Sequence, residues 1–134
     1  MKQKYAAVLA VIGVLAVAGS AWAHHSLQSE YDIDKSITIK GTISRVEWVN
    51  PHVYIYLDVK GADGKVAKWS LSTLPPGTLR RGGVTRQLLG VGEEVSVLGY
   101  QARDGSNLGF LRTITFADGH KYEIWLGDAA KEKP

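Results

Sequence analysis

Four histidines carry the chemistry within reach of this chain: His24, His25, His52 and His120. The first two are adjacent and follow Ala21-Trp22-Ala23, a small-residue triplet of the kind at which exported chains are cut. Cleavage after Ala23 makes His24 the first residue, and its free α-amine and imidazole then close a chelate ring on one metal ion. Such amines titrate near pH ~8 and imidazoles near ~6.5, so both give way to a metal at ordinary pH. A further imidazole completes a three-nitrogen plane, a tetragonal set that suits Cu(II). His52 is the first candidate for that ligand, with His25 and His120 as additional members. A cut after Ala21, behind Gly19-Ser20, would instead leave His24 in third position. There the amine, two backbone nitrogens and the ring form a different Cu(II) or Ni(II) site. The cut after Ala23 is preferred, because it places alanine at both ends of the triplet. The same residues also fit plainer roles: a polar tail for His24 and His25, a corner for His52, and a turn edge for His120.

Other chemistry finds little support. The chain has no cysteine, hence no thiol nucleophile and no disulfide, and it has no G-x-S-x-G. Ser26 follows His25, but neighbours in an extended segment point apart, so the two make no nucleophile–base pair. Asp32 and Asp34 would stand before the first strand, as caps or as an oxygen ligand. Glu93 and Glu94 follow Gly92 in a solvated turn. The sequence therefore reads as a binding protein rather than an enzyme.

The leader sets the compartment. Lys2 and Lys4, an apolar run from Tyr5 to about Gly19 and the small-residue triplet form the three parts of a secretory signal, residues 1–23. The run is shorter than the ~18 residues that argue for a membrane span, so no stable anchor is expected after cleavage. The expected location is the bacterial periplasm or the medium. The chain has sixteen Lys and Arg against thirteen Asp and Glu, a net +3. Loss of Lys2 and Lys4 leaves fourteen against thirteen, a net +1. A surface so nearly neutral offers no footprint for nucleic acid. The partners to expect are a metal ion, or a protein or glycan of the periplasm. Arg80, Arg81 and Arg86 make a basic patch that a solvated helix flank explains.

Strands must position the histidines. After an extended segment, residues 24–35, the pattern has period two from Ser36: Ile37, Ile39, Gly41 and Ile43 alternate with polar residues. The phase slips before Val46 and Trp48, which predicts a bulge near Ser44. Asn50-Pro51 makes a corner. "HVYIYLDV" then reads as strand two, with Val53, Ile55, Leu57 and Val59 on one face and His52, Tyr54, Tyr56 and Asp58 on the other. "GADG" is a hairpin turn into "KVAKWSLS". A broken helical connection lies in "PPGTLRRGGVTRQLLG", and "GEEVSVLGYQA", "LGFLRTITF" and "HKYEIWL" supply the remaining strands. This order predicts a mainly β fold, a small OB-like antiparallel barrel over residues 36–127 with a helical connection between strands three and four. Val95 and Val97 join its core. Residues 128–134 form a polar tail.

These stretches also resemble a known family. "HHS" after the leader, "EYD", "GTISRVEWVNPHVYIYLDV", "LRRGGVTRQLLGVGEEVSVLGY", "RDGSNLG" and "ADGHKYE" are similar to the domain of unknown function 6152, a family of small exported bacterial proteins. The resemblance implies an exported OB-like domain and brings no activity, substrate or catalytic residue. A second function class rests on the residues alone. OB-type barrels bind extended ligands on strands two and three, where Tyr54 and Tyr56, with Trp69 beside them, would stack on a glycan or peptide. Ordinary cross-strand packing accounts for the same tyrosines.

Overall fold

A computed structural model describes residues 27–124. Contacts divide the chain into residues 1–30 and 31–134. Of the first unit, residues 27–30 are described and are helical. The second unit holds six strands, and no helix among the described residues is long and apolar enough to cross a membrane.

The first strand, β1 (Tyr31–Glu47), starts ahead of Ser36, where the alternation becomes visible. Tyr31 is buried and its ring meets the edge of Phe110 at 5.8 Å, which anchors the strand's beginning. A register shift between Tyr31 and Ser36 interrupts the period there, so the pattern concealed five strand residues. Part of the segment 24–35 is thus strand, and Asp32 and Asp34 lie inside β1 rather than before it. The bulge expected near Ser44 is present. The β1–β2 register shifts between Ile43 and Arg45, and the Ser44 hydroxyl donates to the Tyr56 carbonyl at 3.2 Å.

β2 (Tyr54–Lys60) and β3 (Val66–Ser72) form the expected hairpin. The connection holds one short helix, α1 (Pro76–Arg81), with proline in its first turn and Arg80 and Arg81 in its last, where cations favour the helix dipole. The second helical stretch is a single turn closed by Leu89 N–H on the Thr85 carbonyl. β4 (Glu94–Ala102), β5 (Leu108–Phe116) and the short β6 (Lys121–Glu123) follow.

All six strands belong to one sheet, in the order β3-β2-β1-β4-β5-β6. Each pairing in that order is antiparallel, and β3 also pairs with β5 in parallel, Ser70–Ser72 against Leu108–Phe110. The pairings run from β3 through β2, β1, β4 and β5 back to β3. Two glycines permit the close approaches this requires. A Cβ on Gly41 would stand 2.7 Å from the Asp58 carbonyl oxygen, and one on Gly99 would collide with the Phe110 carbonyl.

The core follows the alternation. Val53, Ile55, Leu57, Val95 and Val97 are buried as expected, while Val59 is half-buried beside them. Leu79 of α1 and Val84 and Leu89 of the connection join the same cluster. Full burial of each such side chain contributes about 1.5–3 kcal/mol.

Candidate functional site

His52 does not stand on β2. It occupies the corner between the cis Asn50–Pro51 bond and the start of that strand at Tyr54. This corner is tied to the end of β3. Thr73, with no exposed surface, donates its backbone N–H and its hydroxyl to the Val53 carbonyl, at 2.9 and 2.8 Å. Val53 returns a bond from its N–H to the Leu74 carbonyl at 3.0 Å. The Nδ1 of His52 then lies 2.9 Å from the Thr73 carbonyl oxygen. A carbonyl only accepts, so Nδ1 carries the hydrogen. In the neutral ring Nε2 is left with its lone pair, the arrangement in which a second-shell carbonyl orients a ligating histidine.

His120 is oriented by a similar bond in a different setting. It ends the turn between β5 and β6, where Gly119 takes a positive φ of 89°. Its backbone N–H donates to Asp118 Oδ1 at 2.9 Å and its Nδ1 lies 2.8 Å from Oδ2. The His120 N–H, and after it the ring, hold the Asp118 carboxyl below the usual carboxylate range. Both side chains are mostly in solvent, at 73% and 64% exposure.

The two histidines are not brought together. His52 precedes Tyr54, the partner of Glu47, whereas the His120 turn follows Phe116, whose partner Val95 pairs with Gly41. Six residues of β1 separate these levels, about 20 Å of strand. His120 therefore drops out of a site built on His52. His24 and His25 lie outside the described residues. Among the described residues no three of His, Asp and Glu gather as a metal cage.

The aromatic face is also rearranged. Tyr54 and Tyr56 are opposite Ser72 and Ser70, on the outer side of the hairpin. Trp69 is opposite Leu57 and packs against the core, so it is not beside the tyrosines. Sequence alternation missed this because Val66, Ala67 and Lys68, all exposed, set no polar–apolar alternation ahead of Trp69. The ring of Tyr56 is covered by the Arg45 guanidinium, 4.0 Å from its centroid, and its hydroxyl donates to Glu47 Oε2 at 3.1 Å. Arg45 and Glu47 close the cluster with an ion pair of 2.9 Å. These contacts are the cross-strand packing of a bulged strand.

The sequence profile of a family of unknown function (DUF6152) matches residues 10–112. The chain belongs to this family. The DUF6152 match takes in His24, His25 and His52, together with β1 to β4 and part of β5, and ends before His120. No curated protein matches the chain. The DUF6152 assignment carries no activity. Sequence reasoning missed the partner that orients the His52 ring. Thr73 is 21 residues away and contributes a backbone carbonyl, for which no side-chain motif exists.

Proposed function

We propose that this DUF6152 protein is exported, that removal of its leader frees the amine of His24, and that His24 and His52 together bind one Cu(II). The observation that carries the reading is the His52 ring, fixed through Nδ1 on the Thr73 carbonyl with Nε2 available for a metal. The place where β1 begins supports it. Tyr31 meets Phe110, Phe110 pairs with Ser72, and Ser72 pairs with Tyr54, two residues beyond His52. Two strand spacings of about 4.8 Å separate Tyr54 from Phe110. Fully extended, the seven residues from His24 to Glu30 can reach roughly 23–25 Å, more than those two spacings.

The scaffold of this reading is an OB-like barrel of β1 to β5. The parallel β3–β5 pairing supports closure. Carried round the ring from Glu47 through Tyr54, Ser72, Phe110 and Tyr100, the registers return to β1 at Ser36, eleven residues from the start, a stagger suited to a small closed barrel. Binding of a glycan or peptide on the outer tyrosines has less support, since Arg45 already occupies the Tyr56 ring.

The test compares the processed protein with one carrying a single extra alanine before His24. That addition preserves every side chain and displaces only the amine. Copper affinity, read by competition with a chelator of known strength, should fall in the extended protein and fall further in His52→Ala. Both affinities should weaken as pH drops, because protons compete for the same nitrogens. Equal affinity with and without the added alanine would sink the amine as a ligand.

A further inference from the structure

On the sheet's outer side a groove of about 620 Å³ crosses β2, β1, β4 and β5, away from the His52 corner. Its floor is a register row. Lys40 is opposite Ser96, Ser96 is opposite Thr115, and Thr115 is opposite Lys121 of β6. Thr42 and Glu94 stand opposite each other in the next row. Extending the Thr42–Asp58 register by two residues sets Lys40 across from Lys60, and both line the groove. Like charges placed directly opposite destabilise a sheet. Among the described residues neither lysine has an ion-pair partner, and Asp58, which also lines the groove, is paired with Lys68 at 2.6 Å. Glu94 also has no ion-pair partner among the described residues.

We infer that this groove is a second binding site, for a hydroxylated monocarboxylate of the acidic-sugar class. The carboxylate lies between Lys40 and Lys60 and relieves their repulsion through charge-assisted hydrogen bonds. Thr42, Ser96 and Thr115 provide hydroxyls that both donate to and accept from sugar hydroxyls. Glu94 accepts from ligand hydroxyls and repels a second negative charge, which selects against dianions. Three strand spacings, about 14 Å, separate β2 from β5 and accommodate one or two sugar rings. A free acidic sugar and an acidic unit of a polymer share this chemistry.

The full chain is titrated with galacturonate, galactose, inorganic phosphate and tetragalacturonate, following backbone amide signals. Galacturonate should saturate shifts at Lys40, Thr42, Lys60, Ser96 and Thr115, and added salt should weaken it. Lys40→Gln combined with Lys60→Gln should lower its affinity at least tenfold. The same pair should raise the melting temperature of the unliganded protein, an outcome that loss of fold cannot imitate. Lys65→Gln, in the β2–β3 turn, should alter neither. Glu94→Gln should strengthen phosphate binding. Tetragalacturonate binding much tighter than galacturonate assigns the site to a polymer, and equal binding assigns it to the free sugar. Galactose or phosphate equalling galacturonate in the unaltered protein, or unchanged affinity in the double lysine variant, overturns the inference.

Discussion

The His52 corner and the His120 turn hold the same ring nitrogen in opposite ways. His52 bonds to a backbone carbonyl 21 residues away, on a segment whose threonine is completely buried. His120 bonds to a carboxylate two residues away within its own exposed turn. The first orientation is imposed by the core and persists while the domain is folded. The second belongs to a local loop that solvent competes for. A ligand offered to a metal gains from the first kind of hold, because ring freedom is already lost before binding.

The largest effect that would break this contrast is loss of the core beneath the corner. Ile55→Ala removes a side chain with 2% exposure next to Tyr54 and should cost about 2–5 kcal/mol in denaturant unfolding. A cost near zero would mean that the corner does not rest on the core. A smaller effect is expected at the hook itself. Thr73→Val deletes the hydroxyl that reaches the Val53 carbonyl while keeping the shape, and should cost about 1–3 kcal/mol. It should also reduce copper affinity, although Thr73 supplies the ring's partner only through its backbone.

Ring nitrogens give a direct reading of the two holds. In nitrogen-resolved spectra of the metal-free protein, neutral His52 should be the Nδ1–H tautomer, and its proton should exchange more slowly than any ring proton of His120. Comparable exchange at the two rings would abolish the distinction.

The smallest effect lies at the turn. Asp118 should titrate below ordinary carboxylates, and replacing its ring donor with His120→Ala should move the midpoint upward. A depressed native value means that its contribution to stability is present above the unfolded value. The contribution is lost as pH falls through the native midpoint. The stabilities of the parent protein and Asp118→Asn should therefore converge in acid, and differ little at neutral pH because both groups are exposed.

Much of the fold was legible in the chain. The alternation of Val53, Ile55 and Leu57 against Tyr54 and Tyr56 assigned faces correctly, since one side-chain period fits a half-buried strand. The phase slip before Val46 located the bulge. Trp69 was misplaced because its strand neighbours Ala67 and Lys68 are exposed and give no face to read. The start of β1 was missed for a related reason. Tyr31 is fixed by Phe110, a contact between residues remote in sequence, and an irregular register follows it.

Residue types and local periods determined most of the strand positions, the two faces of β2, the hairpin turns and the candidacy of four histidines. Such features need only neighbours in sequence, and hydrophobic alternation records them. Tertiary structure alone decided which candidates share a place. It parted His52 from His120 by a stretch of β1, joined His52 to Thr73, and brought Lys40 and Lys60 to one groove. Each of those relations depends on which strands pair and in what register. A register is fixed by the summed fit of whole strands, so no short stretch of the chain records it.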